Sequence, residues 1–421
     1  MINARKLAVM ALCKVEEDAS YSNIVLNELF SQNALTEKDK SFVSALFYGV
    51  LDRKITIDYY INSVSKVKVK KMNPLTKQAI RIGVYQLVYM EKVPDSAAVN
   101  ESVNIIKRSN EKRNLGFVNG VLRTISRQTP ALPEPNSVQN ISIVYSCPTE
   151  IVNGFINDYG FEQTKSILQA FLNPAEVFVR INSSFVAKSE FLLKAEEENI
   201  SFSDTDYEFL LKANEPSKLF SSNIYNEGLF HIQDIASFNC SLSLKCVQGE
   251  RVLDVCAAPG GKSFSIAECM NNIGEVVSCD LHTSRVNLIK KGAERLHLSC
   301  INAITNDATV YNEKLGLFDA VLCDVPCSGW GVMRRKPEIK YKGETDFSSL
   351  ESIQKNILNV SSKYVKNGGR LVYSTCTLRK AENERIVEDF LKDNKEFILL
   401  EQVVNFPDIS DGFFHAVMQK M

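Results

Sequence analysis

The chain has 421 residues, too many for one ordinary domain, and two or three domains are expected. Its 45% hydrophobic and 24% charged residues suit a globular protein. No run of about 18 apolar residues offers a membrane span, and Met1 to Leu12 lacks the core of a secretion signal, so a cytoplasmic protein is expected.

Residues 1–130 read as all-helical. Apolar residues recur at helical spacing from Ala4 to Leu12. Thr36 is placed as an N-cap with Asp39 in the first turn, opening an apolar stretch through Phe42, Leu46 and Phe47. Pro74 starts a helix with Ile80, Val84, Leu87 and Val88 on one face, and Pro94 breaks it. Helices over 97–107 and 116–127 follow. This third holds 20 Lys and Arg against 12 Asp and Glu, although the whole chain carries a net charge of only −1. The excess suits a polyanion-binding module or, equally, a solvated basic face.

Three prolines, at 130, 133 and 135, make the stretch around them a linker. Residues 131–230 are expected to form this linker and a small α/β middle domain. Helices are placed at 150–159, 161–171 and 188–198, a strand at 177–181 and an extended stretch at 200–207. From Gly249 the pattern becomes strand, turn, helix, repeated. Strands are placed at Arg251–Val255, Val276–Asp280, Ser299–Thr305, Asp319–Asp324 and Arg370–Ser374. Helices start near Lys262, Ser284, Ser349 and Glu382. This alternation predicts a mostly parallel, doubly wound, Rossmann-like sheet over residues 231–421. Phe397 to Met421 could add antiparallel edge strands.

The eleven cysteines are irregularly spaced, with no C-x-x-C pair and only 4 His, so no metal site is expected. In a reducing compartment most such thiols are small buried hydrophobes, and a catalytic role for any one needs a motif.

The first motif is Cys256-Ala257-Ala258-Pro259-Gly260-Gly261-Lys262, a glycine-rich turn between the first strand of the sheet and a helix. Open α/β sheets bind ligands at that edge, where glycine allows close backbone approach and the helix offers free N–H groups. The loop is neither G-x-G-x-x-G nor a P-loop, which argues against dinucleotides and nucleoside triphosphates. Asp280 ends the second strand, placed to bind ribose hydroxyls, and Arg285 is counted with it. Asp307 follows the third strand and can accept from an adenine amino group, or serve as a helix N-cap. Acids at successive strand ends match a pocket for S-adenosylmethionine (SAM).

The second motif is Asp324-Val325-Pro326-Cys327-Ser328-Gly329 after the fourth strand, and the third is Thr375-Cys376 after the fifth. Both cysteines reach the ligand edge. Carbon 5 of cytosine is a poor nucleophile. A thiolate adding to carbon 6 makes carbon 5 electron-rich enough to take a methyl group. The adduct must then lose the carbon 5 proton and expel the thiolate. Asp324 can bond N3 and the exocyclic amine. One cysteine attacks, and the other can assist elimination. Chemistry alone leaves the order of the pair open.

Asp254–Lys262, Asp324–Gly329 and Thr375–Cys376 together resemble the RNA 5-methylcytosine methyltransferases of the RsmB (Sun, Fmu) and Nop/Sun group. The resemblance implies that Cys376 attacks, that Cys327 promotes release, and that Cys256 to Lys262, Asp280, Asp307 and Asp324 line the SAM pocket. Phe230 to Ser237 is similar to the family's segment before the sheet, and Ala381 to Glu384 to its helix start after the nucleophile. Met333 to Lys340 resembles its basic segment, which implies RNA contacts for Arg334, Arg335 and Lys336. Residues 94–101 and 117–123 are similar to NusB RNA-binding domains. The fusion implies small-subunit ribosomal RNA as partner, at cytosine 967 in the usual numbering, and a monomer is expected.

Overall fold

A computed structural model of the protein describes residues 3–18, 22–341 and 347–421. The chain gathers into two compact units, Met1–Asn173 with Met333–Glu344, and Pro174–Val332 with Thr345–Met421.

The first unit is helical. Its helices are α1 (Ala4–Asp18), α2 (Ser22–Ser31), α3 (Glu37–Asp52), α4 (Lys54–Val64), α5 (Pro74–Tyr89), α6 (Asp95–Lys107) and α7 (Leu115–Arg127). Leu7, Leu46, Phe47, Ile57, Ile80 and Ile125 are buried in their common core. Thr36 caps α3 by accepting from the Asp39 amide at 3.1 Å. Asn73 caps α5 in the same way through Thr76, with Pro74 in the first turn. Helices α2 and α4 went unanticipated. Only Arg53 separates α3 from α4, so one apolar pattern runs into the next.

Three more helices, α8 (Val138–Val144), α9 (Thr149–Tyr159) and α10 (Phe161–Phe171), belong to this unit. The separate middle domain expected over 131–230 is therefore divided near residue 173. Helix α4 explains the division. Thr56 Oγ1 donates to the Ile143 carbonyl at 2.6 Å, Ser146 Oγ accepts from the Ile55 amide at 3.0 Å, and Tyr59 Oη donates to the Ala131 carbonyl at 3.0 Å. These bonds satisfy polar groups of the segment 131–146 on the helical unit rather than within a domain of their own.

The second unit opens with four short antiparallel strands: β1 (Phe178–Ile181), β2 (Phe202–Asp204), β3 (Leu210–Ala213) and β4 (Phe230–Ile232), in the order β2-β3-β1-β4. Helices α11 (Lys188–Glu197) and α12 (Asn223–Asn226) accompany them. β3 and β4 were missed because four and three residues are too few for a pattern to show.

Helix α13 (Ile235–Ser243) leads into the main sheet of β5 (Arg251–Asp254), β6 (Glu275–Asp280), β7 (Ile301–Thr305), β8 (Phe318–Asp324), β9 (Val365–Thr375), β10 (Phe397–Asn405) and β11 (Phe413–Lys420). Their order is β10-β11-β9-β8-β5-β6-β7. β5 to β9 are parallel and β10 and β11 antiparallel, as expected. Crossover helices α14 (Gly261–Cys269), α15 (Thr283–Arg295), α16 (Phe347–Ser362) and α17 (Glu384–Asp393) complete the fold. Buried apolar residues on both faces of the sheet explain the near-continuous apolar runs of β5 and β8. Among the described residues no helix is long and apolar enough to cross a membrane.

In the segment of 333–344, a single turn over Pro337–Tyr341 buries Lys340. Its ammonium lies 2.7 Å from Asp52 Oδ1, and its side chain is only 2% exposed. Lys54 lies over the Tyr341 ring at 4.3 Å. Removing one partner of a buried pair strands the other charge. Asp52→Ala should therefore destabilise the helical unit by on the order of 3 kcal/mol, and Lys340→Met by less. Denaturant unfolding of both variants checks this. A larger loss in Lys340→Met would refute it.

Candidate active site

The sheet reverses its winding between β5 and β8, and open α/β sheets bind ligands beyond the carboxyl ends of their strands at such a point. At the end of β5 the chain turns through Cys256 to Gly261. Gly260 holds φ at +115°, and a Cβ there would lie 2.3 Å from the Phe264 ring. Only glycine fits. A Cβ on Gly261 would meet nothing within 4 Å, so the loop has free space beside its backbone. The Ala257 amide donates to the Cys279 carbonyl at 2.7 Å, tying loop to β6. Pro259 is exposed, and Ala258 and Cys256 are half-buried.

Asp280 sits at the end of β6 and accepts from the His282 amide at 3.2 Å. Arg285 lies 3.4 Å from Asp280 and donates to the Ala258 carbonyl at 3.0 Å, so it braces the loop as well as the acid. Asp307 is exposed just past β7. It accepts from the Thr309 amide at 2.9 Å and from Thr309 Oγ1 at 2.6 Å, which lowers its pKa. These bonds cap a turn, not a helix, since the next helical residues begin at Glu313.

Asp324 ends β8. Lys262 reaches it from the glycine loop, Nζ to Oδ2 at 2.7 Å, and Ser374 Oγ donates to Oδ1 at 2.9 Å. Burial works against the Lys262 ammonium, but the Asp324 carboxylate carries its pKa above the usual lysine value. Beneath the pair, the fully buried Asp254 accepts from Ser263 Oγ at 2.7 Å, and burial pushes its pKa up to about 7.

Cys327 and Cys376 meet with their sulfurs 3.3 Å apart. β8 and β9 are neighbours, with Asp324 opposite Ser374, so both thiols leave the sheet at one level. The hydrogen bond to Cys376, together with burial, raises the Cys327 pKa well above the usual thiol value. Either sulfur can be the donor across this contact, so the two thiols share a single hydrogen bond.

Sequence reasoning missed what holds the two cysteine loops together. Glu382 is fully buried. Its Oε2 accepts from the Ser328 amide at 2.8 Å and from Gln354 at 2.9 Å, and its Oε1 faces Arg379 at 2.9 Å. Asn383 accepts from Thr375 Oγ1 at 2.6 Å and donates to the Thr377 carbonyl at 2.9 Å. Ser328 and Thr377 hydroxyls bond each other at 2.8 Å. Gly331 donates to the Cys376 carbonyl at 3.0 Å, and a Cβ on it would lie 1.9 Å from the Gly412 carbonyl oxygen. The stretch Ala381 to Glu384 had shown only as a helix start. The signal for more was a Glu-Asn pair placed just ahead of that helix.

Of the basic segment, Arg334 and Arg335 are half-buried and Lys336 is exposed, and all three belong to the helical unit. Among the described residues no three His, Cys, Asp or Glu side chains gather as metal ligands.

A doubly wound sheet with an antiparallel edge pair and a glycine loop after its first parallel strand is the scaffold of a SAM-dependent methyltransferase. The model of the 16S rRNA methyltransferase RsmB/F family matches residues 241–417, and that of the NusB family matches 2–127. The probable ribosomal RNA small subunit methyltransferase B of Bacillus subtilis is 38% identical over 405 residues, covering 94% of this chain and 89% of that protein. Ribosomal RNA small subunit methyltransferase B of Proteus mirabilis is 31% identical over 425 residues, covering 99% of each. The solved structure of NSun6 from Pyrococcus horikoshii with SFG, a SAM analogue, superposes with a TM-score of 0.59 at 19% identity, covering 65% of this chain and 98% of that one. The chain belongs to the RsmB/F family and is a SAM-dependent rRNA methyltransferase.

Asp254 provides a test of the electrostatics under the loop. Its folded pKa lies above the unfolded one, so its contribution to stability is full below the unfolded value of 3.8 and is lost as pH rises through about 7. Asp254→Asn cannot ionise. Its melting temperature relative to wild type should therefore climb between pH 5 and pH 8, by several degrees as an order of magnitude. Differential scanning fluorimetry reads this, and a pH-independent difference would count against a buried, neutral Asp254.

Proposed function

We propose that this protein methylates carbon 5 of a cytosine in 16S rRNA, at position 967 in the usual numbering, through a covalent adduct of Cys376 with carbon 6. The observation that carries the reading is the contact of two thiols at adjacent strand ends, 3.3 Å apart, beside the Lys262–Asp324 pair. The protein works in the cytoplasm as a monomer on ribosomal RNA.

The pocket residues are Cys256 to Lys262, Asp280, Arg285, Asp307 and Asp324. The free space at Gly261 and the bracing of Asp280 by Arg285 suit a nucleoside with a charged sulfonium. SAM, when bound, supplies an electrophilic methyl group.

The protein's own groups do the rest. The Cys376 thiolate forms a bond to carbon 6, and N3 takes up a proton across the Lys262–Asp324 pair, leaving an enamine whose carbon 5 is nucleophilic. Asp324 also accepts from the exocyclic amine. Once Cys376 has become a thioether it is a poor acceptor, and its share in raising the Cys327 pKa is gone. Cys327 then gives its proton to solvent and takes the carbon 5 proton, directly or through a water. The electron pair of that C–H bond re-forms the 5,6 double bond and expels the Cys376 thiolate, and N3 returns its proton across the Lys262–Asp324 pair. Arg334, Arg335 and Lys336 contact the RNA as part of the basic helical unit.

Two variants test the roles. Cys376→Ala should leave the target cytosine of rRNA, taken from cells lacking the native enzyme, fully open to bisulfite conversion. Cys327→Ala should accumulate a protein–RNA adduct that survives denaturing gels. An adduct that forms in Cys376→Ala instead would swap the roles.

A further inference from the structure

The four-stranded sheet carries a buried polar chain that ends on the glycine loop. Arg180 of β1 lies 3.1 Å from Glu268 of α14, a carboxylate with no exposed surface. Arg180 also donates to the Phe209 carbonyl at 3.2 Å and lies 4.9 Å from the centre of the Phe238 ring. His231 of β4 sits 3.3 Å from the other Glu268 oxygen. Ser265, one turn earlier on α14, is 3.4 Å from His231 Nε2 and donates to Gln233 Oε1 at 2.6 Å. Gln233 in turn donates from Nε2 to the Gly261 carbonyl at 3.2 Å.

The directions from Ser265 to Gly261 are fixed. The Gly261 carbonyl can only accept, so Gln233 turns its nitrogen toward it and its oxygen toward Ser265, which gives its one hydrogen to Gln233. Gln233 is 5% exposed, so a flipped amide would set its oxygen against the Gly261 carbonyl, at a cost water cannot relieve. The Gly261 carbonyl therefore has one preferred position.

We infer that Gln233 is a positioning residue for the cofactor loop, through which the small sheet sets affinity for SAM. The inference rests on the reading that Cys256 to Lys262 take the cofactor. Gly261 is the first residue of α14, and the loop's free N–H groups turn with its peptide planes. A carbonyl released from Gln233 can rotate, and the amides lose their preset aim.

Gln233→Met keeps the volume and removes both bonds. Calorimetric titration with SAM should give affinity about five- to tenfold weaker than wild type. The loss should appear in the KM for SAM and not in kcat, alongside a fall in the melting temperature of the free protein from the two groups left unpartnered. Ser265→Ala, which leaves Gln233 Oε1 without its donor, should weaken binding in the same direction and stands in if Gln233→Met does not fold. Asp280→Ala is measured beside them. Wild-type affinity in Gln233→Met or Ser265→Ala with weakened Asp280→Ala overturns the inference alone. Wild-type affinity in Asp280→Ala as well overturns the loop reading beneath it. A fall in kcat as well marks Gln233 as mere packing and also overturns the inference.

Discussion

The parallel pairing of β8 with β9 is the constraint on which the site depends. Residues 49 apart in sequence become neighbours because Asp324 lies opposite Ser374, and these paired residues stand three and two positions before a cysteine. Parallel strands need a crossover, here α16, and that helix brings Gln354 back to the Pro326 carbonyl and to Glu382. The crossover that permits the pairing thus also braces the loop it serves. One slip of register would move Asp324 away from Ser374 and part the two sulfurs.

Charge is distributed unevenly across this edge, and burial decides how. Asp324 is partly open and faces the Lys262 ammonium at 2.7 Å. Asp254, a few residues from the same lysine but fully buried, is pushed toward the neutral form. Glu382 is buried too, yet Arg379 and two N–H donors face it. Three carboxylates in one region thereby have three environments, and only Asp324 is left with solvent access to meet a base.

Much of this was legible because apolar runs, glycines and strand-end residues are local signals. The glycine loop, Asp280, Asp324 and both cysteines each follow a run that only a buried strand explains. What could not be read depends on residues returning from elsewhere. Lys340 sits in a basic run that looks solvated, and only the fold buries its ammonium against Asp52, nearly three hundred residues away in the chain. Glu382 and Asn383 precede α17 as ordinary helix-start residues, and their bonds to Ser328 and Thr375 exist only once β8 and β9 are paired. The division of residues 131–230 likewise follows from hydrogen bonds made by Thr56 and Tyr59, which no pattern within that segment announces.

The order of the two thiols is where geometry adds most to chemistry. Two cysteines at equal height on one edge are interchangeable until a proton is assigned. The hydrogen bond to Cys376, burial and the Glu382 carboxylate held at the Ser328 amide all work against a thiolate at Cys327. Ionisation of one thiol then raises the barrier to ionising the other, so the pair behaves as a single site with one negative charge. Alkylation of Cys376 ends that coupling. Under the proposed chemistry, the contact that holds Cys327 back before attack is lost afterwards, and a base becomes available only when there is an adduct to resolve.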